Sequence, residues 1–387
     1  MQDTSGEFVF TRLRNVIYGT GKVGELSREL ERRGAERALI VTGATLGRSR
    51  LLEKLKDAAG SRLAGIFSGA VQHVPSHTVK DLVAEARAVE ADSFVSFGGG
   101  SPIDTAKAAA MQMMGGRASR DGAAKPQEPA PEFVHIAIPT TLSAAEFTPF
   151  GGVTDEASKI KGGVGDPRLQ PCTVILDPSL TVETPAWLWA STGIRALDHA
   201  VECSYSSRHQ PLSDTLAARA IELLTAHLRP SLQTHGDLEL ENRLQCQLAA
   251  WFSIFGATNT RSGISHALGH QIGPFWNVPH GVTSCITLPH VMRFMADVAP
   301  ERFAPIAQGF GIRFDSARPR YAARESADRA AKFIRQFEVP TRLRDVGVPQ
   351  SELARIAGTV HEEVERAKTV GRLITVEDLV SLLEAAY

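Results

Sequence analysis

No apolar run in this 387-residue chain reaches the roughly 18 residues that a bilayer-spanning helix needs, so no membrane segment is expected. Charge of either sign is not in excess. The 42 Lys and Arg against 43 Asp and Glu leave a formal net charge of -1, without the field that draws a protein to nucleic acid or to an anionic membrane surface. Cysteine is scarce: Cys172, Cys203, Cys246 and Cys285 are far apart and form no CxxC pair. That removes a disulfide framework and a thiolate zinc site. Internal repeats are also lacking, and MQDTSGEFVFTRLRNVIYG does not have the charged-then-apolar layout of a secretion leader. A reducing, cytoplasmic location is the expectation.

What is present has the composition of a globular protein, 43% hydrophobic and 22% charged, in a chain long enough for two domains. In the first half, compact apolar runs alternate with amphipathic stretches. ALIVT (38–42), LAGIFSGAV (63–71), DSFVSFGGGS (92–101) and FVHIAIPTT (133–141) read as buried strands, each with a helical pattern nearby. That alternation predicts a doubly wound parallel α/β sheet. Between Gly115 and Phe133 a stretch rich in Gly, Pro, Ala and charge reads as an exposed loop. Beyond about Leu180 the β-branched runs fade and helical spacing takes over, as in GIRALDHAVECSYS and SADRAAKFIRQF. We therefore expect an α/β dinucleotide-binding domain over residues 1–183 and an all-α metal and substrate domain over 184–387. Thr375, with Asp378 three residues on, is the expected start of a closing helix.

Two patterns carry chemistry. The first is SFVSFGGGSPIDTAKAAA, where Gly98, Gly99, Gly100 and Ser101 join a strand to a helix. Residues without a β-carbon let the backbone approach a phosphate, and the helix N-terminus points free N–H groups at the same place. Asp104 falls in the first turn, where an acid is also an ordinary helix-start residue. The spacing is not GxGxxG, and a tight strand-to-helix connection is the simpler alternative. The second pattern is a set of histidines in the helical half. His266 and His270 are four apart on one helix face, His280 follows in the turn-like NVPHG, and His199 stands in a separate helical segment. Imidazoles from separate segments can converge on one metal ion or one substrate.

Taken in order, YGTG (18–21), GGGSPIDTAKAAA (98–110), IPTT (138–141), GIRALDHAVE (193–202) and HALGHQIGPFWNVPHG (266–281) resemble the iron-containing alcohol dehydrogenase superfamily, the group III dehydrogenases. The resemblance implies an NAD- or NADP-dependent oxidoreductase that interconverts a small alcohol and its carbonyl compound in a cleft between an α/β and a helical domain. It implies a likeness of architecture to dehydroquinate synthase, and a homodimer. By the same resemblance Gly98, Gly99, Gly100 and Ser101 hold the cofactor pyrophosphate. Thr140, Thr141 and Ser143 line its nicotinamide and ribose side, and Lys161 reaches the ribose. His199, His266 and His280 match three ligands of a divalent iron or zinc ion, and His270 matches a proton-relay histidine.

The chain departs from the family pattern at three places. The family's metal site begins with an aspartate four residues before the first histidine, and here that residue is Arg195. A guanidinium cannot ligate a cation and repels one nearby. Asp198 is the candidate substitute ligand, although it leaves the helix about 100° away from His199. Roles open to Arg195 are stabilising a developing alkoxide and gripping a substrate carboxylate, and the plain alternative is a surface arginine paired with Glu202 or another acid. Second, IPTTLSAAEFTPF is one residue shorter than the usual alcohol-dehydrogenase form. This is similar to the maleylacetate reductases, a metal-independent branch that reduces an oxo acid. Third, Gly43 replaces the aspartate that favours NAD, and with Arg48 and Arg50 downstream NADP becomes admissible. A lyase similar to dehydroquinate synthase and a non-catalytic binding protein are the remaining alternatives.

Overall fold

The structure, a computed structural model, describes residues 6–115, 133–156, 161–260, 263–371 and 373–387, without the Lys161 side chain. Most of the loop expected between Gly115 and Phe133 therefore lies outside the described residues. The chain divides into two compact units, Thr11–Thr184 and Pro185–Tyr387, the second taking in the N-terminal stretch to Phe10. That stretch had been expected in the α/β domain. Its position follows from contacts with the helical unit: Phe8 stacks on Phe255 at 6.0 Å, and Val9 exchanges two hydrogen bonds with the Asn259 amide, of 2.8 and 3.0 Å.

The first unit runs β1 (Asn15–Tyr18), α1 (Leu26–Arg32), β2 (Ala38–Val41), α2 (Arg50–Ala59), β3 (Leu63–Phe67), α3 (Ser76–Ala88), β4 (Ser93–Gly98), α4 (Gly100–Met113), β5 (Val134–Pro139), β6 (Phe150–Thr154), β7 (Lys161–Gly165) and β8 (Thr173–Leu176). Six strands form a parallel sheet in the order β1-β8-β5-β4-β2-β3, while β6 and β7 pair as a separate antiparallel hairpin. All four residues of β2 and of β8 are buried, because helices cover both faces of the sheet. One face packs Leu26, Leu30 and Leu55 against Val95 and Ile136. The other packs Leu82, Ala106 and Met111 against Leu39 and Phe94. This is the doubly wound sheet that the alternation of apolar runs predicts.

The second unit is helical: α5 (Ala186–Tyr205), α6 (Pro211–His227), α7 (Asp237–Ile254), α8 (Ala257–Thr260), α9 (Ile264–Trp276), α10 (His280–Val298), α11 (Ala304–Gly309), α12 (Pro319–Ile334), α13 (Leu353–Ala367) and α14 (Val376–Ala385). The expected reciprocal cap opens α14: Asp378 N–H donates to Thr375 Oγ1 and Thr375 N–H to Asp378 Oδ2. All four cysteines are free thiols. NVPHG is only partly a turn, since His280 is already the first residue of α10. Every residue of α5 from Trp189 to Tyr205 is buried, so the charged Arg195, Asp198 and Glu202 have to find partners inside the protein.

Burial of charge also shapes the α/β unit. Lys107 on α4 is fully buried and donates to the carbonyls of Ala145 and Phe150, both at 2.6 Å, and to Thr148 Oγ1 at 3.3 Å. It thereby holds the segment leaving β5. Burial pushes its pKa down, opposed by the charge of Asp104 and then of Glu146. Glu146 is also buried, and burial pushes it up to about 7, against the pull of a backbone hydrogen bond and Lys107.

Two consequences can be measured. Between about pH 5 and 7 the folded chain keeps a proton on Glu146 that the unfolded chain has released, so stability falls as pH rises through that window, by on the order of 3 kcal/mol. Glu146→Gln should flatten this slope in urea unfolding at a series of pH values; an unchanged slope would refute the burial argument. Separately, a Cβ at Gly281 would lie 2.7 Å from the backbone C and O of Ser191, where α10 passes α5. Gly281→Ala should therefore cost about 1–3 kcal/mol and lower the thermal midpoint.

Candidate functional site

The glycine turn lies where β4 meets α4. Gly98 has φ 141°, and a Cβ there would come within 2.9 Å of Pro102 Cγ. At Gly99 a Cβ would sit 3.1 Å from Thr141 Cγ2, and at Gly100 3.5 Å from Ser143 Oγ. Small residues thus let the turn pass directly against the chain leaving β5. Thr140 N–H continues the ladder to the Gly98 carbonyl at 2.9 Å, and the Thr184 hydroxyl fixes the Thr140 carbonyl at 2.7 Å. Thr141 and Ser143 are therefore set beside the start of α4, where Ser101 stands in the first turn.

The hydroxyls of Thr141 and Ser143 are buried and have no hydrogen-bond partner among the described residues. A buried polar atom left without a partner costs about 1–3 kcal/mol, so this pair beside a helix N-terminus suits a polar ligand that completes them. The phosphates of a dinucleotide fit that cradle. Asp104 is engaged elsewhere, accepting from Gly152 N–H at 3.2 Å and lying 3.6 Å from Lys107 Nζ. Gly43 follows β2, where a Cβ would meet the Ala70 carbonyl at 3.3 Å. Arg48 is exposed, and Arg50 pairs with Glu183 at 2.8 Å on the surface. Lys161 lies on β7, and its side chain is outside the described residues.

In the helical unit, α5 carries Arg195, Asp198 and Glu202 at i, i+3 and i+7, on one face. The Arg195 side chain is only 10% exposed. Its Nη1 donates to Ser284 Oγ at 3.0 Å and lies 3.4 Å from Asp198 Oδ2. Asp198 Oδ2 also accepts from Ser265 at 2.7 Å and Ser284 at 2.6 Å. Since Ser265 is on α9 and Ser284 on α10, this one oxygen ties three helices. The surface placement of Arg195 is thereby corrected: the arginine is buried, and the acid that it pairs with is Asp198.

Glu202 receives Gly263 N–H at 3.0 Å, Ser265 N–H at 2.7 Å and Tyr205 OH at 3.1 Å, and it also pairs with His266 Nδ1. It thus caps the start of α9 and orients the ring that α9 presents. His199 faces His266 with ring centroids 5.0 Å apart. His270 Nδ1 pairs with Glu363 Oε1 at 2.7 Å, and the His270 ring stands at 77° to that of His280, 6.0 Å away.

Burial is the main force on these ionisable groups. It pushes His199 and His266 well below the ordinary histidine range, and the Arg195 charge adds to the push in both cases. Both imidazoles are therefore neutral. Burial raises Asp198, helped by the charge of Glu202 and opposed by Arg195, and it raises Glu202 as well. Burial lowers Arg195 too, but a guanidinium remains protonated in proteins. Glu363 lies below its ordinary value: burial pushes it up, but the hydrogen bond and charge of His270 outweigh that.

A divalent metal is expected of an iron-containing dehydrogenase and can be tested against this donor set. Among the described residues the ligand atoms that lie within 4.8 Å of one another are those of Asp198, Glu202 and His266, not of the three histidines His199, His266 and His280. Both carboxylates are already committed, Asp198 to a cation and two hydroxyls, Glu202 to four donors. Asp198 Oδ1 and His199 Nδ1 are buried without a hydrogen-bond partner among the described residues, and neither His199 nor His280 joins that group of ligand atoms. Arg195 adds a fixed positive charge whose effect reaches all four of these side chains. The residues present do not fit a divalent cation.

Some members of the cluster escape sequence reading. Ser265 and Ser284 lie 67 and 86 residues from Asp198, and Glu363 lies 93 residues from His270, separations that carry no periodic signal. Glu202 does have a signal, its i+7 spacing from Arg195 on one helix.

Comparison with known proteins identifies the family. The profile described as iron-containing alcohol dehydrogenase matches residues 14–178, and the C-terminal profile of the Fe-containing alcohol dehydrogenase family matches residues 189–387. The chain is 33% identical over 378 residues to lactaldehyde reductase of Escherichia coli (strain K12), covering 96% of this chain and 97% of that protein. It is 32% identical over 296 residues to maleylacetate reductase 2 of Cupriavidus pinatubonensis, 76% of each chain. The crystal structure of a 1,3-propanediol oxidoreductase superposes with a TM-score of 0.89 at 26% identity, over 99% of this chain and 100% of that one. With both halves matched, and with a relative similar along nearly its whole length, the chain belongs to the iron-containing alcohol dehydrogenase family.

Proposed function

We propose that this protein is an NAD(P)-dependent oxidoreductase that interconverts a small alcohol and its aldehyde or ketone by hydride transfer. The observation that carries this reading is the pair of buried hydroxyls, Thr141 and Ser143, without a partner among the described residues, beside the glycine turn and the start of α4. Gly98, Gly99, Gly100 and Ser101 cradle the pyrophosphate with backbone N–H groups, and Thr140, Thr141 and Ser143 line the cofactor beyond it. The absence of a side chain at Gly43 leaves room for a 2′-phosphate, so both NAD and NADP are admitted.

When bound, the nicotinamide supplies or accepts the hydride. The chain's own residues manage position and protons. His266 is oriented by Glu202, which also holds the first N–H groups of α9, so the imidazole has a fixed direction. His270, paired with Glu363, is less buried and serves as the proton route to the substrate oxygen.

A second reading is reduction of an oxo acid, as the name of the maleylacetate reductase relatives suggests, and the buried guanidinium of Arg195 favours it. A planar cation with open N–H groups suits a carboxylate.

Reduced-nicotinamide oxidation, followed by absorbance with small aldehydes, ketones and oxo acids, tests the reaction class. Turnover with none of them would remove it. Thr141→Val should raise KM for the dinucleotide about tenfold, the loss of one hydrogen bond. His270→Ala should lower kcat by about 10²–10⁴-fold while dinucleotide binding is kept. Unchanged turnover in that variant would take His270 out of the proton route.

A further inference from the structure

We propose that Arg195 takes the place and the electrostatic task of the family's divalent metal, so that this chain works without a metal ion. The inference rests on the hydride-transfer reading for the task, but the replacement of the metal stands on the geometry of the cluster alone. A carboxylate at this position of α5 would be a ligand; a guanidinium is a charge already in place.

The first observation is where the charge sits. Arg195 is held on the buried face of α5 by Ser284 and Asp198, next to the facing rings of His199 and His266. The second is what remains unused. Among the described residues Arg195 donates only through Nη1, to Ser284 and Asp198. Nε and Nη2 donate to none of them. These two groups form one edge of the guanidinium fork, the edge that binds an anionic oxygen at two points. The third is how the fork is aimed. Asp198 Oδ2 accepts from Ser265, Ser284 and Arg195 together, which fixes the guanidinium before a substrate arrives. A fixed dipole or charge of this kind stabilises a transition state without reorganising.

The step balances as follows. A C–H bond forms at the carbonyl carbon as a C–H bond of the reduced nicotinamide breaks, so the carbonyl compound is reduced and the nicotinamide oxidised. The π pair of the C=O bond moves onto oxygen, where the negative charge meets Nε and Nη2 of Arg195. That oxygen then takes a proton, with His270 as the route. His199 and His266, neutral in this cluster, line the substrate rather than hold an ion.

The test uses the purified full-length chain. Elemental analysis should find no stoichiometric iron or zinc, equilibrium dialysis against Zn²⁺ should show no tight site at the cluster, and turnover should be unchanged by a chelator. Near-stoichiometric metal, with activity lost on chelation and restored by the ion, overturns the proposal. Arg195→Gln should lower kcat by about 10²–10³-fold with dinucleotide affinity retained, and Arg195→Lys should recover part of the loss. Unchanged kcat in Arg195→Gln also overturns it. Because removing the cation leaves Asp198 unpaired, a misfolded Arg195→Gln is replaced by Arg195→Lys, which keeps the charge but loses the fork and should lower kcat by about tenfold with dinucleotide affinity retained. Unchanged kcat in a folded Arg195→Lys counts against the two-point contact. If no carbonyl compound supports turnover, the hydride-transfer reading fails, while metal content and dialysis still decide whether Arg195 replaces the ion.

Discussion

The helical unit is organised around one oxygen atom. Asp198 Oδ2 accepts hydrogen bonds from Ser265 on α9 and Ser284 on α10 and faces the Arg195 guanidinium on its own helix. A buried carboxylate with three donors is tolerable, whereas one left alone costs several kcal/mol. The same contacts therefore set how α5, α9 and α10 meet. Glu202, one turn further along α5, repeats the device by capping α9 and gripping His266. The direction of that imidazole is set by where α9 begins, and α9 begins where a carboxylate can take its free N–H groups. Removing one charged partner should thus disturb helix placement as well as chemistry, which is why the charge-retaining lysine variant is informative.

The α/β unit uses a different constraint. Its strands are buried on both faces, and the sheet exposes its binding capacity only at the ends of strands, where β4 and β5 give way to the glycine turn and the Thr140–Thr141 segment. There the backbone is close-packed: a Cβ at Gly98 or Gly99 would press on Pro102 or Thr141. Beside this close packing two hydroxyls are buried with no partner among the described residues. Lys107, buried beneath the same segment, holds it with two 2.6 Å hydrogen bonds to carbonyls, so the cradle rests on a rigid support rather than a loose loop.

How much of this can be read in the residues varies with range. Buried parallel strands are continuous apolar runs, so β2, β4 and β5 are legible from composition alone, as are the glycines that join β4 to α4. The β6–β7 hairpin is not legible, because FGGVT and KGGVG lack the alternation that marks a half-buried strand. Arg195 is legible only as a departure from a pattern. Whether it lies on the surface or inside depends on α5 being buried along seventeen consecutive residues, which follows from packing with other helices and not from any local signal. The hydroxyls that bind Asp198 come from positions 67 and 86 residues beyond it, and Glu363 from 93 beyond His270. Partners so distant in the chain become neighbours only when the helices pack.

The exchange of a ligating carboxylate for a guanidinium changes more than one side chain. An acidic ligand is completed by a cation, whereas a guanidinium is already a cation and must be completed by an acid. Asp198 supplies that acid, one turn along the same helix, and its Oδ2 also accepts from two hydroxyls, one of which, Ser284, both accepts from the arginine and donates to the aspartate. An alanine or a valine at Ser265 or Ser284 would leave the pair under-satisfied, so the two serines and the arginine form one interdependent set. The family's fold survives the exchange because the histidines do not depend on it: His266 is oriented by Glu202, and His270 by Glu363. On the proposal made above, the histidines keep their orientation while the positive charge of the site is the chain's own Arg195 rather than that of an exchangeable ion.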